Sequence, residues 1–217
     1  MSGRFTAPSE RTRVKRASEL AVYDHAAIHA ILDAMPLAHI GYVIDGAPHV
    51  TPTLQWREGE RMFWHGSAAS RMLVAIEGKP VSINVTIFDG MVLARSGFAH
   101  SVNYRSVTLF GVAEVVRDPE EKTRALDRFM DLTFPGRRPD LRPMTAKELK
   151  ATTVLSMSIA EASAKVSAGP PTDPEDAAWP VWAGVIPLVL TVSPPIPADD
   201  MPAGIAVPDY ARAFKIG

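Results

Sequence analysis

From residue 37 onward, apolar and polar positions alternate in short runs separated by glycine-containing pairs. "LAHIGYVI", the pair "DG", "APHVTPTLQW", the pair "EG" and "ERMFWHG" predict a three-stranded antiparallel meander, because turns this short leave no room for the crossover helices that parallel strands need. Upstream the period is helical. "DHAAIHAILDAM" offers Asp24 as N-cap, places Ile28, Ile31, Leu32 and Met35 on one face, and is stopped by Pro36. Downstream, "AASRMLVAIEG" predicts a short helix that buries Met72, Leu73 and Ile76 and ends at Gly78. "PVSINVTIF" then alternates cleanly, Val81, Ile83, Val85 and Ile87 against Ser82, Asn84 and Thr86.

The pair "DG" at 89–90 is expected to turn the chain into a long β segment, "MVLARSGFAHSVNYRSVTLFGVAEVV", in which Gly97 and Gly111 are candidate bulges. An amphipathic helix follows over "DPEEKTRALDRFMDLTF", with Asp118 as cap and Pro119 in its first turn. A short helix at "TAKELK", one strand over "ATTVLSMSIAEASAKV", a proline-rich loop and a last strand over "VWAGVIPLVLTV" complete the pattern. Six or seven strands, mostly hairpin-linked, with peripheral helices, make an antiparallel barrel and not an α/β sheet.

Length and charge narrow the class. A chain of 217 residues, 47% of them hydrophobic, is long enough for one sizeable core or two small ones, and a single domain is expected. We divide it into a basic arm (1–22), a barrel domain (23–192) and a proline-rich tail (193–217) that wraps the surface or stays mobile. The formal net charge of −1 gives no general field for nucleic acid or a membrane. The arm, with Arg4, Arg11, Arg13, Lys15 and Arg16, is read as solvated and flexible. The absence of cysteine excludes disulfides, thiolate metal sites and a thiol nucleophile. Neither a signal-peptide core nor an apolar run of membrane-spanning length is seen, so a soluble, cytoplasmic protein is expected.

The stretch "GSAASR" at 66–71 combines small residues, hydroxyls and an arginine where a strand gives way to a helix. With Ser67 near the N-cap, unsatisfied backbone N–H groups point outward, Ser70 adds a hydroxyl and Arg71 a planar guanidinium. A phosphate monoester uses all three donor types. Serine caps and solvated arginines are common, and the spacing is neither a Walker loop nor a dinucleotide fingerprint. Nearby, "VTPT" places Pro52 in a strand, tolerated at an edge or beside a ligand, between the hydroxyls of Thr51 and Thr53.

Taken together, "FWHGSAASRML", "DGMVLARS", "HSVNYRSVTLFG" and "VWAGVIPL" resemble the pyridoxamine 5′-phosphate oxidase-like flavin proteins, in particular their flavin-nucleotide-binding or nitroimidazole-resistance-like branch. The resemblance implies an antiparallel Greek-key split β-barrel, FMN as cofactor, and a homodimer with the flavin in a groove between subunits. It assigns the phosphate to Ser67, Ser70 and Arg71, and the ribityl chain and ring to Thr51, Pro52, Thr53 and Asn84. It also brings Tyr104, Arg105 or Ser106 to the cofactor, although on a strand Arg105 faces away from Tyr104 and Ser106, so a dimer seam is the alternative reading. Where the oxidases proper have a second cation after the arginine, this chain has Met72, and Arg105 is a candidate substitute. Trp182 matches the oxidases' C-terminal tryptophan, but the arginine that holds their vitamin substrate has no counterpart, so oxidation of pyridoxine phosphate is not expected.

The implied activity is an oxidoreductase or flavin reductase, passing electrons from a reduced nicotinamide to a small acceptor. A non-enzymatic flavin-binding protein, or the same barrel holding haem or a deazaflavin, are the alternatives. His65 and His100 fall near the proposed groove and could move a proton, the structural role being the commoner one. His25 and His29 have the four-residue spacing of a metal pair, with no third ligand evident nearby, and are read as exposed helix histidines.

Overall fold

The computed structural model describes residues 6–216. A two-residue strand β1 (Ala21–Val22) leads to α1 (His25–Ala34), whose N-cap Asp24 accepts from the Ala27 N–H at 2.9 Å, as its sequence predicts. The meander follows as β2 (Leu37–Ile44), β3 (Ala47–Glu58) and β4 (Arg61–Ser67). Asp45 and Gly46 both have positive φ, 51° and 79°, which a two-residue hairpin of this hand requires.

Helix α2 (Arg71–Ile76) then buries Met72, Leu73 and Ile76, and β5 (Pro80–Leu93) and β6 (Ser101–Val112) form the longest hairpin. A short β7 (Glu114–Val115), α3 (Pro119–Thr133), α4 (Ala146–Ala151), β8 (Thr152–Ser158), β9 (Ala162–Ser167), β10 (Gly184–Pro187) and α5 (Asp209–Arg212) complete the described chain.

The sheet runs β1-β9-β6-β5-β2-β3-β4-β8-β7, with β10 added to β5, all its strand pairs antiparallel. It is mainly β and of split-barrel type, and the sheet does not close. Side chains from its concave face join those of α1 and α2 in one core around Ile40, Trp64, Ile83, Leu109 and Met157. A second apolar cluster lies between β3, β4 and α3, where Trp56, Phe63, Leu126 and Phe129 meet. Alternation along β4 serves both: Met62 and Trp64 enter the first cluster, Phe63 the second.

Four expectations are corrected. The pair Asp89–Gly90 is a β-bulge inside β5 and not a turn, because β10 crowds it: a Cβ on Gly90 would stand 2.9 Å from the Ile186 carbonyl oxygen. The segment read as one strand after α4 is two, since the chain turns at 159–161 to carry β8 beside β4 and β9 beside β6. Only four residues of the expected last strand pair.

The described part of the basic arm is docked and not loose. Thr12 is buried, Val14 N–H donates to the Tyr23 hydroxyl at 2.8 Å, and Arg13 and Lys15 pair with Glu10. Arg4 lies outside the described residues. Of the two expectations for the tail, wrapping is the one observed: Tyr210 donates to Asp140 at 2.8 Å and accepts from Arg137 at 2.6 Å.

One buried amide ties α1 to the meander. Gln55, 2% exposed, donates through Nε2 to the carbonyls of Leu32 and Met35 at 2.6 and 2.8 Å, satisfying the open end of the helix. Replacing Gln55 with leucine strands both carbonyls in an apolar setting, which costs about 2–3 kcal/mol. The urea midpoint is expected to fall accordingly; an unchanged midpoint would contradict the role given to this amide.

Candidate functional site: the cleft between β3 and β4

Pairing between β3 and β4 is short. It covers Gln55–Glu58 against Arg61–Trp64 and then stops. Beyond that point residues 51–54 stay with β2, while residues 65–67 stay with β8. The two strands therefore part, and each presents a backbone edge to the gap between them. Thr51, Pro52 and Thr53 stand on one bank. His65 and Ser67 stand on the other, continued by Ser70 and Arg71 at the bend into α2.

At that bend the roles differ from expectation. Ser70, not Ser67, is the N-cap: its Oγ accepts from the Leu73 N–H at 3.5 Å, while the Ser67 Oγ accepts from the Ala69 N–H at 3.2 Å. The backbone N–H groups of Arg71 and Met72 have no acceptor among the described residues. The exposed Arg71 guanidinium likewise makes no ion pair or hydrogen bond among them. Met72, where a second cation was missed, is buried in the core, so that position could not have supplied one.

Strand register sorts the other candidates. Thr51 and Thr53 pair with Ile40 and Ala38, both fully buried, and so share the concave side; the Thr51 hydroxyl also lies 2.9 Å from the Tyr42 hydroxyl. Pro52, His39, Asn84 and Thr108 form one cross-strand row on the opposite face. Asn84 is held there, donating to the Thr108 hydroxyl at 3.2 Å and accepting from the Thr86 hydroxyl at 2.7 Å. Tyr104 and Ser106 pair with Phe88 and Thr86 on this same outer face.

Arg105 faces the concave side and forms a bidentate pair with Asp89, at 2.9 and 2.8 Å, which raises its pKa further. It is thereby committed to Asp89 and does not stand in for the missing cation. Trp182 is 63% exposed and packs over Gly184. Since Gly184 pairs with Leu93, the tryptophan lies roughly 30 Å along β5 from Asn84. In one subunit Thr51 and Thr53 thus lie on the β3 side of the gap and Ser67, Ser70 and Arg71 at the end of β4, while the side chains of Pro52, Asn84, Tyr104 and Ser106 lie on the outer face.

His65 is the residue whose surroundings the sequence did not convey. Its ring lies edge-on to Phe129, with centroids 4.6 Å apart, and 5.9 Å from Trp56. Its Nδ1 is buried without a hydrogen-bond partner among the described residues. His100, by contrast, is exposed and lies 2.8 Å from the Ser96 carbonyl oxygen. Burial pushes the His65 pKa below the ordinary histidine value.

The outer face beside the cleft is apolar on β2 and β3. Leu37, Val43, Val50 and Leu54 are all exposed there, and Phe88 continues the face on β5. No helix among the described residues is long and apolar enough to cross a membrane.

The family model described as pyridoxamine 5′-phosphate oxidase matches residues 24–166. Among solved structures, the chain is similar to the flavocytochrome Anf3 from Azotobacter vinelandii, with 48% identity, 97% of this chain and 99% of that one covered, and a TM-score of 0.94. It is also similar to the FAD and haem binding protein from Mycobacterium smegmatis, with 39% identity, coverage of 89% and 96%, and a TM-score of 0.86. A proposed 5-nitroimidazole antibiotic resistance protein from Bacteroides thetaiotaomicron shares the fold, at 21% identity, coverage of 67% and 86%, and a TM-score of 0.55. No curated protein matches the chain.

The depressed His65 pKa has a consequence for stability. Between the folded value and about 6.5 the unfolded chain binds a proton that the folded one refuses, so stability falls as pH drops through that window. In His65→Leu the decline of the urea midpoint between pH 7 and pH 5 is expected to become shallower. A slope equal to the parent's would show that His65 is not held neutral by burial.

Proposed function

The chain belongs to the pyridoxamine 5′-phosphate oxidase family, and we propose on that footing that it is a flavin-binding electron-transfer protein with its nucleotide in the β3–β4 cleft. The observation that carries this reading is the bend at 67–71. It offers two backbone N–H groups without acceptors and an arginine without an anion among the described residues, at the end of a gap whose other bank bears two threonine hydroxyls. A phosphate ester satisfies the amides and the guanidinium together. Thr51 and Thr53 then lie beside the ribityl chain and ring. A bound flavin supplies one- and two-electron transfer; the protein's part is to seat it, orient it and exclude water.

We favour FAD over the FMN that the sequence resemblance implies, because a protein 39% identical is described as binding FAD and haem. Reduced nicotinamide as donor and a small molecule as acceptor complete the reading, as an oxidoreductase. The exposed apolar strip on β2 and β3 suits a second copy of the chain, as in a homodimer, which would cover the cleft from its open side and bring a partner's outer-face residues to it.

A second group is favoured by His65. Similarity to a flavocytochrome and to a haem-binding protein points to haem, and the residues present fit it. Burial disfavours the charged form of the imidazole, which has aromatic neighbours and carries an orphaned buried nitrogen on the α3 side of β4. Neutral histidine is the form that ligates iron, and apolar walls suit a macrocycle. Haem there would add one-electron exchange with the flavin.

Arg71→Ala is expected to weaken flavin binding roughly tenfold to a hundredfold, the loss typical of a charge-assisted contact. Fluorescence titration checks this, chromatography of the released cofactor separates FAD from FMN, and dilution to monomers is expected to release the flavin. An unchanged dissociation constant would exclude the seat. In the protein as purified, flavin bands and a Soret band are expected together, and His65→Ala is expected to lose the Soret band while keeping the flavin. A Soret band that survives the substitution would remove His65 as the ligand.

A further inference from the structure

We propose that His25, His29 and Glu60 form a binding site for a divalent cation of the zinc class, separate from the flavin cleft. The helix α1 brings both imidazoles onto one face through their four-residue spacing, with ring centroids 6.0 Å apart. The third group comes from a distance in sequence. Glu60 sits in the tight loop between β3 and β4, with its carboxylate oxygens 3.2 Å from His25 Nδ1 and 3.4 Å from His29 Nε2.

These spacings are those of ligands around one ion. Nitrogen and oxygen donors bound tetrahedrally at 2.0–2.2 Å stand about 3.3 Å from one another. All three donor atoms here lie within 4.8 Å of one another. His29 supplies an independent sign. Its Nε2 is buried and makes no hydrogen bond among the described residues, even though a carboxylate oxygen lies 3.4 Å away. A buried nitrogen and a carboxylate oxygen set this close without a hydrogen bond between them leave room for a cation shared by both.

The set is two neutral nitrogens and one carboxylate, so a bound divalent ion keeps a net positive charge and an open position. Beside it is a cavity of about 350 Å³ lined by His25, His29, Tyr23, Ile28 and Ile159, with room for water or a small anionic ligand on the ion. Glu60 and Ser67 flank opposite ends of β4, about 20 Å apart along the strand, so occupation of one site leaves the other free. The ion would also fasten the start of α1 to the β3–β4 loop.

The test uses the full chain with its native cofactors, stripped with a chelator and titrated with Zn²⁺ by calorimetry near neutral pH. One equivalent per chain is expected, together with a zinc-dependent rise in melting temperature. Glu60→Gln and His25→Ala change exposed side chains and are expected to keep the cofactor spectrum while losing at least about tenfold in zinc affinity. Absence of saturable binding, or parent-like binding by both variants, would overturn the proposal.

Discussion

The constraint on which the rest depends is that β3 changes neighbours along its length. Backbone N–H and C=O groups must be paired or solvated, so a strand that leaves its partner exposes a polar edge on each side of the gap. Here β3 pairs with β4 only from Gln55 to Glu58, while β2 holds its first half and β8 holds the last residues of β4. A closed barrel would have removed both edges. The split leaves a slot with hydrogen-bonding banks, one end of which is the bend into α2.

The character of that slot follows from which side chains the packing leaves over. Met72 and Leu73 are drawn into the core, which fixes α2 and turns Arg71 outward. Ser70 closes the helix start on Leu73, so the amides that remain are those of Arg71 and Met72. Across the slot, the register that buries Ile40 and Ala38 places Thr51 and Thr53 beside them. On the β4 bank, the alternation that sends Trp64 into the main core turns His65 toward Phe129 and Trp56. The free amides beside Arg71, the threonine hydroxyls and the buried histidine arise from one set of packing choices.

Local chemistry in the sequence was legible where it acts alone. Asp24 and Asp118 cap their helices, the first hairpin loop of the meander falls at Asp45–Gly46, and the second falls at Gly59–Glu60, one residue past the expected Glu58–Gly59, because caps and turns are decided within a few residues. The bulge at Gly90 was not legible, since the same pair reads as a turn until β10 arrives from far along the chain to crowd it. Nor was the turn between β8 and β9, which exists because β4 and β6 each recruit a strand.

The site shows the same division. Ser67, Ser70 and Arg71 stand out together as candidates because they fall within five residues. Asn84, Tyr104, Ser106 and Trp182 could not be placed by the same means, as strand parity and pairing, not identity, set their faces. Glu60 escaped the metal reading of His25 and His29 because its proximity is a product of the hairpin. The environment of His65 required α3, more than fifty residues downstream.

A crystal structure of the flavin-loaded protein tests the central claim most directly. The phosphate nearest the ribityl chain is predicted within hydrogen-bond distance of the Arg71 guanidinium and the Arg71 and Met72 amides, with the ring along Thr51–Thr53. Flavin density elsewhere, with Arg71 left in solvent and the gap between β3 and β4 filled by side chains, would contradict it.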